Sequence, residues 1–478
     1  MNDYDRYISP FSERYASKEM QYLFSPNKKF STWRKLWLAL AESEKELGLT
    51  QITDEMISEM KEHLYDIDYE ATEAYECKFR HDVMAHIHAY GDKCPTARGI
   101  IHLGATSCYV GDNTDIIIMK EALELTKKKL VNVIDILSKF ALKNKDLPCL
   151  GYTHFQAAQP VTVGKRATLW LQDFLSDYHD LEYVLGSLKL LGSKGTTGTQ
   201  ASFVELFNDK DAPAKLDKLI AKKMGFSDVY PVSGQTYSRK IDCRVYNVLT
   251  GIATSATKFT NDIRLLQHEK EIEEPFESSQ VGSSAMPYKR NPMRSERIAS
   301  LSRYVLSNAM NPFMTASSQW LERTLDDSAN RRIAIAEGFL AIDGVLDLLI
   351  NVTDGLIVNE KVIEKNLKEE LSFMITENIL MDKVKEGNDR QELHEEIRRL
   401  SLEAGNRVKK EGLPNDLFDR LCASDKLHIS KEEKEAYFNA SRYIGRASEQ
   451  VTDFINDDVN PVLKKNKDLL GYKVSINK

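Results

Sequence analysis

The stretch GSSAMPYKRNP, residues 282–292, crowds Ser283, Ser284, Lys289, Arg290 and Asn291 between a glycine and a proline. Hydroxyls at one end and cations at the other could form a base together with the charge that must stabilise it. Ser283 lacks the GxSxG elbow of a hydrolase nucleophile. The loop also lacks the Walker spacing of a phosphate cradle. A serine hydroxyl has a very high pKa, so a basic role demands strong local positive charge and exclusion of water.

Four other islands carry reactive side chains. RHDVMAHIH (80–88) holds Arg80, His81, Asp82, His86 and His88. As a metal site it is weak, because the 81–86 spacing is not one helical face and no HExxH pattern is present. The Arg80–His81 pair suits an anion better, and His86 and His88 also have a structural reading. GYTHFQAAQP (151–160) sets His154 among small and polar residues. An unperturbed histidine titrates near pH 6.5, so this one could give or take a proton, while a capping or buried role stays open. GQTYSRKID (234–242) and WLERTLDDSANRR (320–332) supply Gln235, Arg239, Arg323, Ser328, Arg331 and Arg332. Guanidinium forks match carboxylates and phosphates. Asp326 and Asp327 offer the same arginines an internal partner instead.

Long helices must position these islands. Trp33, Leu36, Trp37, Leu40, Glu44 and Leu47 fall at three- and four-residue steps, and Ile116, Leu123, Leu130, Leu137 and Ala141 continue the pattern at seven-residue steps and a final four. Val245, Leu249, Ile252, Ala256, Phe259, Ile263 and Leu266 continue the theme. Stripes of this length predict helices packed side by side, and strand-like alternation is rare, so the fold class is all-α. Gly- and Ser-rich punctuation falls at 99–113, at 191–202 and in the 282–292 loop. The expected division is an N-terminal helical domain (1–111), a central long-helix bundle carrying the loop (112–360) and a C-terminal helical domain (361–478). At 478 residues, two or three domains are the ordinary expectation.

Composition excludes several classes. With 42% hydrophobic and 29% charged residues the chain reads as an ordinary globular protein. A net charge of −7 argues against a general nucleic-acid or anionic-membrane binder, though not against an anionic ligand in a locally basic pocket. The six cysteines are scattered without a CxxC pair and are expected to be reduced. The first residues lack the apolar core of a signal peptide, and no uncharged apolar run approaches membrane-spanning length. A cytoplasmic location is the expectation.

The loop resembles the signature of the fumarase/aspartase superfamily. SERYAS, RHDVMAH, HLGATSCYVGDNTD, THFQ, KGTTGTQASF, GQTYSRK, SSAMPYKRNPMRSER and ERTLDDSANRR together resemble the adenylosuccinate lyase family, closely the animal type. The matches run in family order from about residue 8 to 332, and the tail with GRASEQV is compatible. The resemblance implies three mainly helical domains and a homotetramer whose active sites draw on several subunits. It implies β-elimination of fumarate from adenylosuccinate, giving AMP, and from succinylaminoimidazole carboxamide ribotide. Ser283 is then the general base and His154 the general acid. The nucleotide phosphate and succinyl carboxylates are expected to meet Arg14, Tyr15, Arg80, His81, Asp82, Thr106, Ser107, Gln235, Lys289, Asn291, Arg297, Arg323, Ser328 and Arg332. No metal or organic cofactor is implied. Ala157 stands where the family often has proline, and Tyr288 stands where many bacterial relatives have histidine. The competing expectations are another fumarate-releasing lyase, such as argininosuccinate lyase or fumarase, and a catalytically silent structural relative.

Overall fold

A π-helical turn, Phe11–Tyr15, opens the chain and leads into α1 (Lys18–Leu23) and α2 (Pro26–Glu46). The computed structural model describes residues 5–277, 280–282 and 284–474, so Ser283 lies outside the described residues. Serine caps start the first two helices: Ser17 Oγ accepts the Met20 N–H and Ser25 Oγ the Lys28 N–H, with Pro26 at the first position of α2. The predicted stripe on α2 is buried from Trp33 to Glu44. Shorter helices follow, α3 (Asp54–Glu62), α4 (Tyr69–Phe79) and α5 (Asp82–Lys93), packed around the same indole-rich face.

The centre is a bundle of long helices. They are α6 (Ser107–Lys143), α7 (Val163–Ser187), α10 (Lys240–His268), α11 (Met293–Asn308) and α13 (Asp327–Asp354). The short α8 (Ala201–Phe207), α9 (Ala212–Lys223) and α12 (Met310–Ser317) lie between them. The stripes predicted on α6 and α10 are buried throughout. On α13 the run from Gly338 to Leu346 is buried on every side, the mark of a helix at the middle of a core.

Cross-ties set the directions. The Trp170 indole, early in α7, donates to Asp262 near the end of α10 at 2.7 Å, so these two helices run antiparallel. Asn308, at the end of α11, donates to the Tyr246 hydroxyl in the second turn of α10 at 2.7 Å, and these are antiparallel too. Arg239, just ahead of α10, binds Asp327 at the start of α13, so α10 and α13 begin at one end of the bundle.

The irregular stretch read at 99–113 ends earlier than expected, because α6 begins at Ser107. Gly111, Asp112 and Asn113 look like loop residues but are helical; Asp112 and Asn113 turn inward to buried partners, Arg239 and the backbone of Gly192. Between α6 and α7 a hairpin of β1 (Pro148–Thr153) and β2 (Gln156–Thr162) projects, and β3 (Ile272–Glu273) pairs with β4 (Ile357–Val358).

One hydrophobic core runs from Met20 to Ile363 and includes Val451–Val462. A second gathers Leu371 to Tyr437 from α14 (Glu360–Met374), α15 (Thr376–Lys385), α16 (Arg390–Glu411), α17 (Leu417–Cys422) and α18 (Lys431–Tyr437). The stretch expected as one unit from 361 therefore divides: α19 (Ala447–Phe454) and α20 (Asn460–Lys465) return to the central bundle. Among the described residues no helix is long and apolar enough to cross a membrane.

Candidate active site

The N-terminal ends of α5, α6 and α13 meet at one end of the bundle. His81 caps α5, its Nδ1 accepting the Met84 N–H at 3.3 Å, and its Nε2 lies 3.5 Å from Ser107 Oγ in the first turn of α6. Asp82 sits 3.9 Å from the Arg332 guanidinium in α13. Gln235 accepts from Cys108 Sγ at 3.4 Å, donates to the Thr196 carbonyl at 3.1 Å and is held by its own N–H to Glu322 O at 3.0 Å. Arg323 follows directly and is close enough to act on the Cys108 thiol, which burial nonetheless pushes up to about 12. Thr106 is the N-cap residue of α6, and Ser328 lies in the first turn of α13. Helix N-termini carry partial positive charge and unpaired N–H groups. With Arg80, Arg323 and Arg332 beside them, this end gathers cations and N–H donors, chemistry that can receive an anion.

Beneath it lies a buried ionic network that separates structural from available arginines. Arg239 binds Asp112 with two nitrogens at 2.9 and 3.2 Å and Asp327 at 2.7 Å. Arg331 binds Asp242 at 2.7 Å, Asp115 at 2.8 Å and the Tyr237 hydroxyl. Burial alone pulls the Arg239 pKa down, but Asp112 and its neighbours hold it above the ordinary arginine value. Arg239 thus has Asp327 as its internal partner, while Arg331 is also paired internally, but with Asp242 and Asp115 rather than Asp326 or Asp327. Arg332, two-thirds exposed, is left facing outward. His86 and His88 are structural as well. His86 stacks on Phe30 at 3.8 Å, with burial lowering its pKa to about 4, and His88 stacks against Tyr75 and Phe79.

The remaining candidates lie elsewhere. Arg14 and Tyr15 occupy the π-helical turn, where the Arg297 guanidinium stands 5.9 Å from the Tyr15 ring. In the 282–292 loop, Asn291 donates to the Gly282 carbonyl at 2.7 Å, while Lys289 is exposed. A Cβ on Gly282 would fall 1.9 Å from the Lys289 carbonyl, so only glycine permits that crossing. Gln267, at the end of α10, donates to the Arg290 carbonyl, fixing the loop at that end. Gln235 precedes the start of α10, and 29 helical residues span about 43 Å. By the same reckoning about 55 Å of α6 separate Ser107 from the hairpin that carries His154. Within one chain, then, the candidates do not form one pocket.

His154 sits in a strained turn. Thr153 pairs with Gln156, so His154 and Phe155 are the two central residues of the hairpin, and both have positive φ, 53° and 57°. Such turns favour Asn-Gly, and side-chain-bearing residues there are uncommon. Both side chains are exposed. Among the described residues nine non-glycine positions have positive φ, and six fall in the islands singled out: Arg80, His102, His154, Phe155, Gln200 and Leu321. Strain concentrated in this way marks functional segments.

His102, which sequence reasoning did not single out, lies beside His81. Its φ is 70°, and its Nδ1 accepts the Trp37 indole N–H at 2.8 Å. In the neutral ring the proton therefore resides on Nε2. Burial, aided by the neighbouring His81, lowers its pKa to about 4, so it is a neutral donor at physiological pH. The only sequence signal is its place in HLGATS, because the indole that fixes its tautomer lies 65 positions away.

The all-α long-helix bundle is the fold of a fumarase/aspartase-type lyase, and the family model described as Lyase matches residues 5–307. The fold is shared with 3-carboxy-cis,cis-muconate lactonizing enzyme from Pseudomonas putida, with a TM-score of 0.81 at 21% identity over 94% of this chain and 99% of that one. A second family model, Adenylosuccinate lyase C-terminus, matches residues 372–454. The chain is 53% identical over 97% of both sequences to the adenylosuccinate lyase of Saccharomyces cerevisiae, and 46% identical over the full length of both to that of Schistosoma mansoni. It belongs to the adenylosuccinate lyase family, and it is a lyase.

Proposed function

We propose that the chain cleaves adenylosuccinate to AMP and fumarate, and succinylaminoimidazole carboxamide ribotide to its carboxamide ribotide, in the cytoplasm. The observation that carries this reading is the 53% identity to the yeast enzyme across 97% of both chains. In the proposed reaction Ser283 removes a proton from the carbon beside a succinyl carboxylate. The charge spreads into that carboxylate, where Lys289 and Asn291 receive it, and His154 protonates the departing nitrogen. Losing one preorganised donor of this kind costs about 3–4 kcal/mol of barrier. General acid help is worth on the order of a hundredfold to ten-thousandfold.

The phosphate and carboxylates are assigned to Arg80, His81, Asp82, Thr106, Ser107, Gln235, Arg323, Ser328 and Arg332 at one end, and to Arg14, Tyr15 and Arg297 along α11 and α13. The tens of ångströms between these groups support a site assembled from several subunits of a homotetramer. Exposed apolar side chains on the bundle, including Leu169, Tyr183, Leu265 and Ile333, are consistent with such self-association.

The test is the ultraviolet absorbance change as purified protein converts adenylosuccinate to AMP without added metal. Turnover is expected, abolished in Ser283→Ala while nucleotide binding is largely kept. Turnover of argininosuccinate or malate, with none of adenylosuccinate, would overturn the assignment.

A further inference from the structure

The segment carrying Arg14 and Tyr15 rests on α13 through an unusual contact. Ser17, three residues beyond Arg14, donates its backbone N–H to Asp343 Oδ2 at 2.6 Å. The other oxygen of Asp343 accepts the Lys129 ammonium of α6, which also lies 2.7 Å from Asp347. The side chains of Lys129 and Asp343 are fully buried. Burial alone lowers the Lys129 pKa, but Asp343 and Asp347 more than offset it, so the ammonium stays charged.

Buried ion pairs of this kind are poor sources of stability, and apolar residues of equal volume often do as well. What this one supplies is a fixed acceptor aimed at a single backbone N–H. The next residue, Gly344, leaves room for the same segment. A Cβ there would lie 2.9 Å from the Tyr15 carbonyl oxygen and 3.2 Å from its carbon. The seat is completed from α11, where the Tyr304 ring packs 5.0 Å from Phe11 and Arg297 faces Tyr15.

We infer that Asp343 and Gly344 are positioning residues that set the depth and direction of Arg14 and Tyr15 against the substrate. This rests on the reading of those two residues as substrate ligands. The two contacts act together: Asp343 draws the chain in by one hydrogen bond, and the missing side chain of Gly344 sets how close it comes. Neither residue touches substrate itself.

The test uses full-length protein and initial rates with adenylosuccinate. Gly344→Ala gains helix propensity but sets a methyl 2.9 Å from the Tyr15 carbonyl oxygen, so the segment must shift; a merely structural role predicts altered thermal stability with unchanged kinetics. Positioning predicts instead a rise in KM on the order of tenfold, with kcat changed by less than about twofold. Ser17→Pro gives an independent route. Ser17 has φ −63° and follows an extended residue, so proline fits the backbone while deleting the N–H. Ser17→Ala keeps the N–H and loses only the cap. The expected result is a raised KM for Gly344→Ala and Ser17→Pro and a near-normal one for Ser17→Ala. Arg14→Ala is the reference. If it raises KM while folded Gly344→Ala and Ser17→Pro do not, the inference fails and the reading of Arg14 stands. If Arg14→Ala leaves KM unchanged, that reading fails and the inference with it. Should Gly344→Ala not fold, the Ser17→Pro and Ser17→Ala pair decides alone.

Discussion

Glu44 sits inside the apolar stripe of α2, fully buried, with no hydrogen-bond partner for either oxygen among the described residues. Burial raises its pKa to about 9. In the unfolded chain it titrates near the ordinary value, so between roughly pH 4.5 and 9 folding requires it to take up a proton. A carboxyl whose folded pKa is raised loses stability for the fold as pH climbs through that window. At pH 7 the penalty is on the order of 3 kcal/mol. Glu44→Gln should therefore raise the unfolding midpoint at pH 8 and have little effect near pH 5, as measured by thermal melts across that range. An equal gain at both pH values would show that the carboxyl is not buried neutral. The stripe itself was legible from spacing, but the fate of its one acidic member was not, because burial is a property of the packed helices. The same holds for the Arg239 and Arg331 network. Their type suggested anion binding, while their partners, Asp112 and Asp115, lie 127 and 216 positions away.

At the scale of elements, the hairpin between α6 and α7 breaks a local rule at the proposed acid, His154. Two consecutive positive-φ positions hold His154 and Phe155 rather than Asn-Gly, at a cost of about 1–3 kcal/mol each. The double substitution His154→Asn with Phe155→Gly should relax the turn and raise the melting temperature while abolishing turnover. A melt combined with the absorbance assay reads both outcomes. Loss of stability would mean that the two side chains hold the hairpin, and retained turnover would remove His154 from the chemistry. The long stripes made α2, α6 and α10 legible, since a 3.6-residue period needs no tertiary information. The start of α6 was less so, because its polar first turns resemble a loop until their buried partners are known.

For the whole molecule, the long helices keep the reactive islands apart. The group around His81, Ser107 and Gln235 and the hairpin with His154 lie at opposite ends of α6, about 55 Å in length. A single chain keeps them apart, which is why the proposed site draws on several copies of the chain. The islands were all visible in the sequence, and their scatter suggested a composite site. That they are held apart by rigid helices, rather than joined by flexible ones, required the structure. The most direct measurement is complementation between inactive His81→Ala and His154→Ala proteins, mixed under conditions that allow subunit exchange. Shared sites predict recovery to roughly a quarter of wild-type activity, the fraction of sites drawing both intact groups from independently chosen subunits. No recovery despite demonstrated exchange would contradict the account.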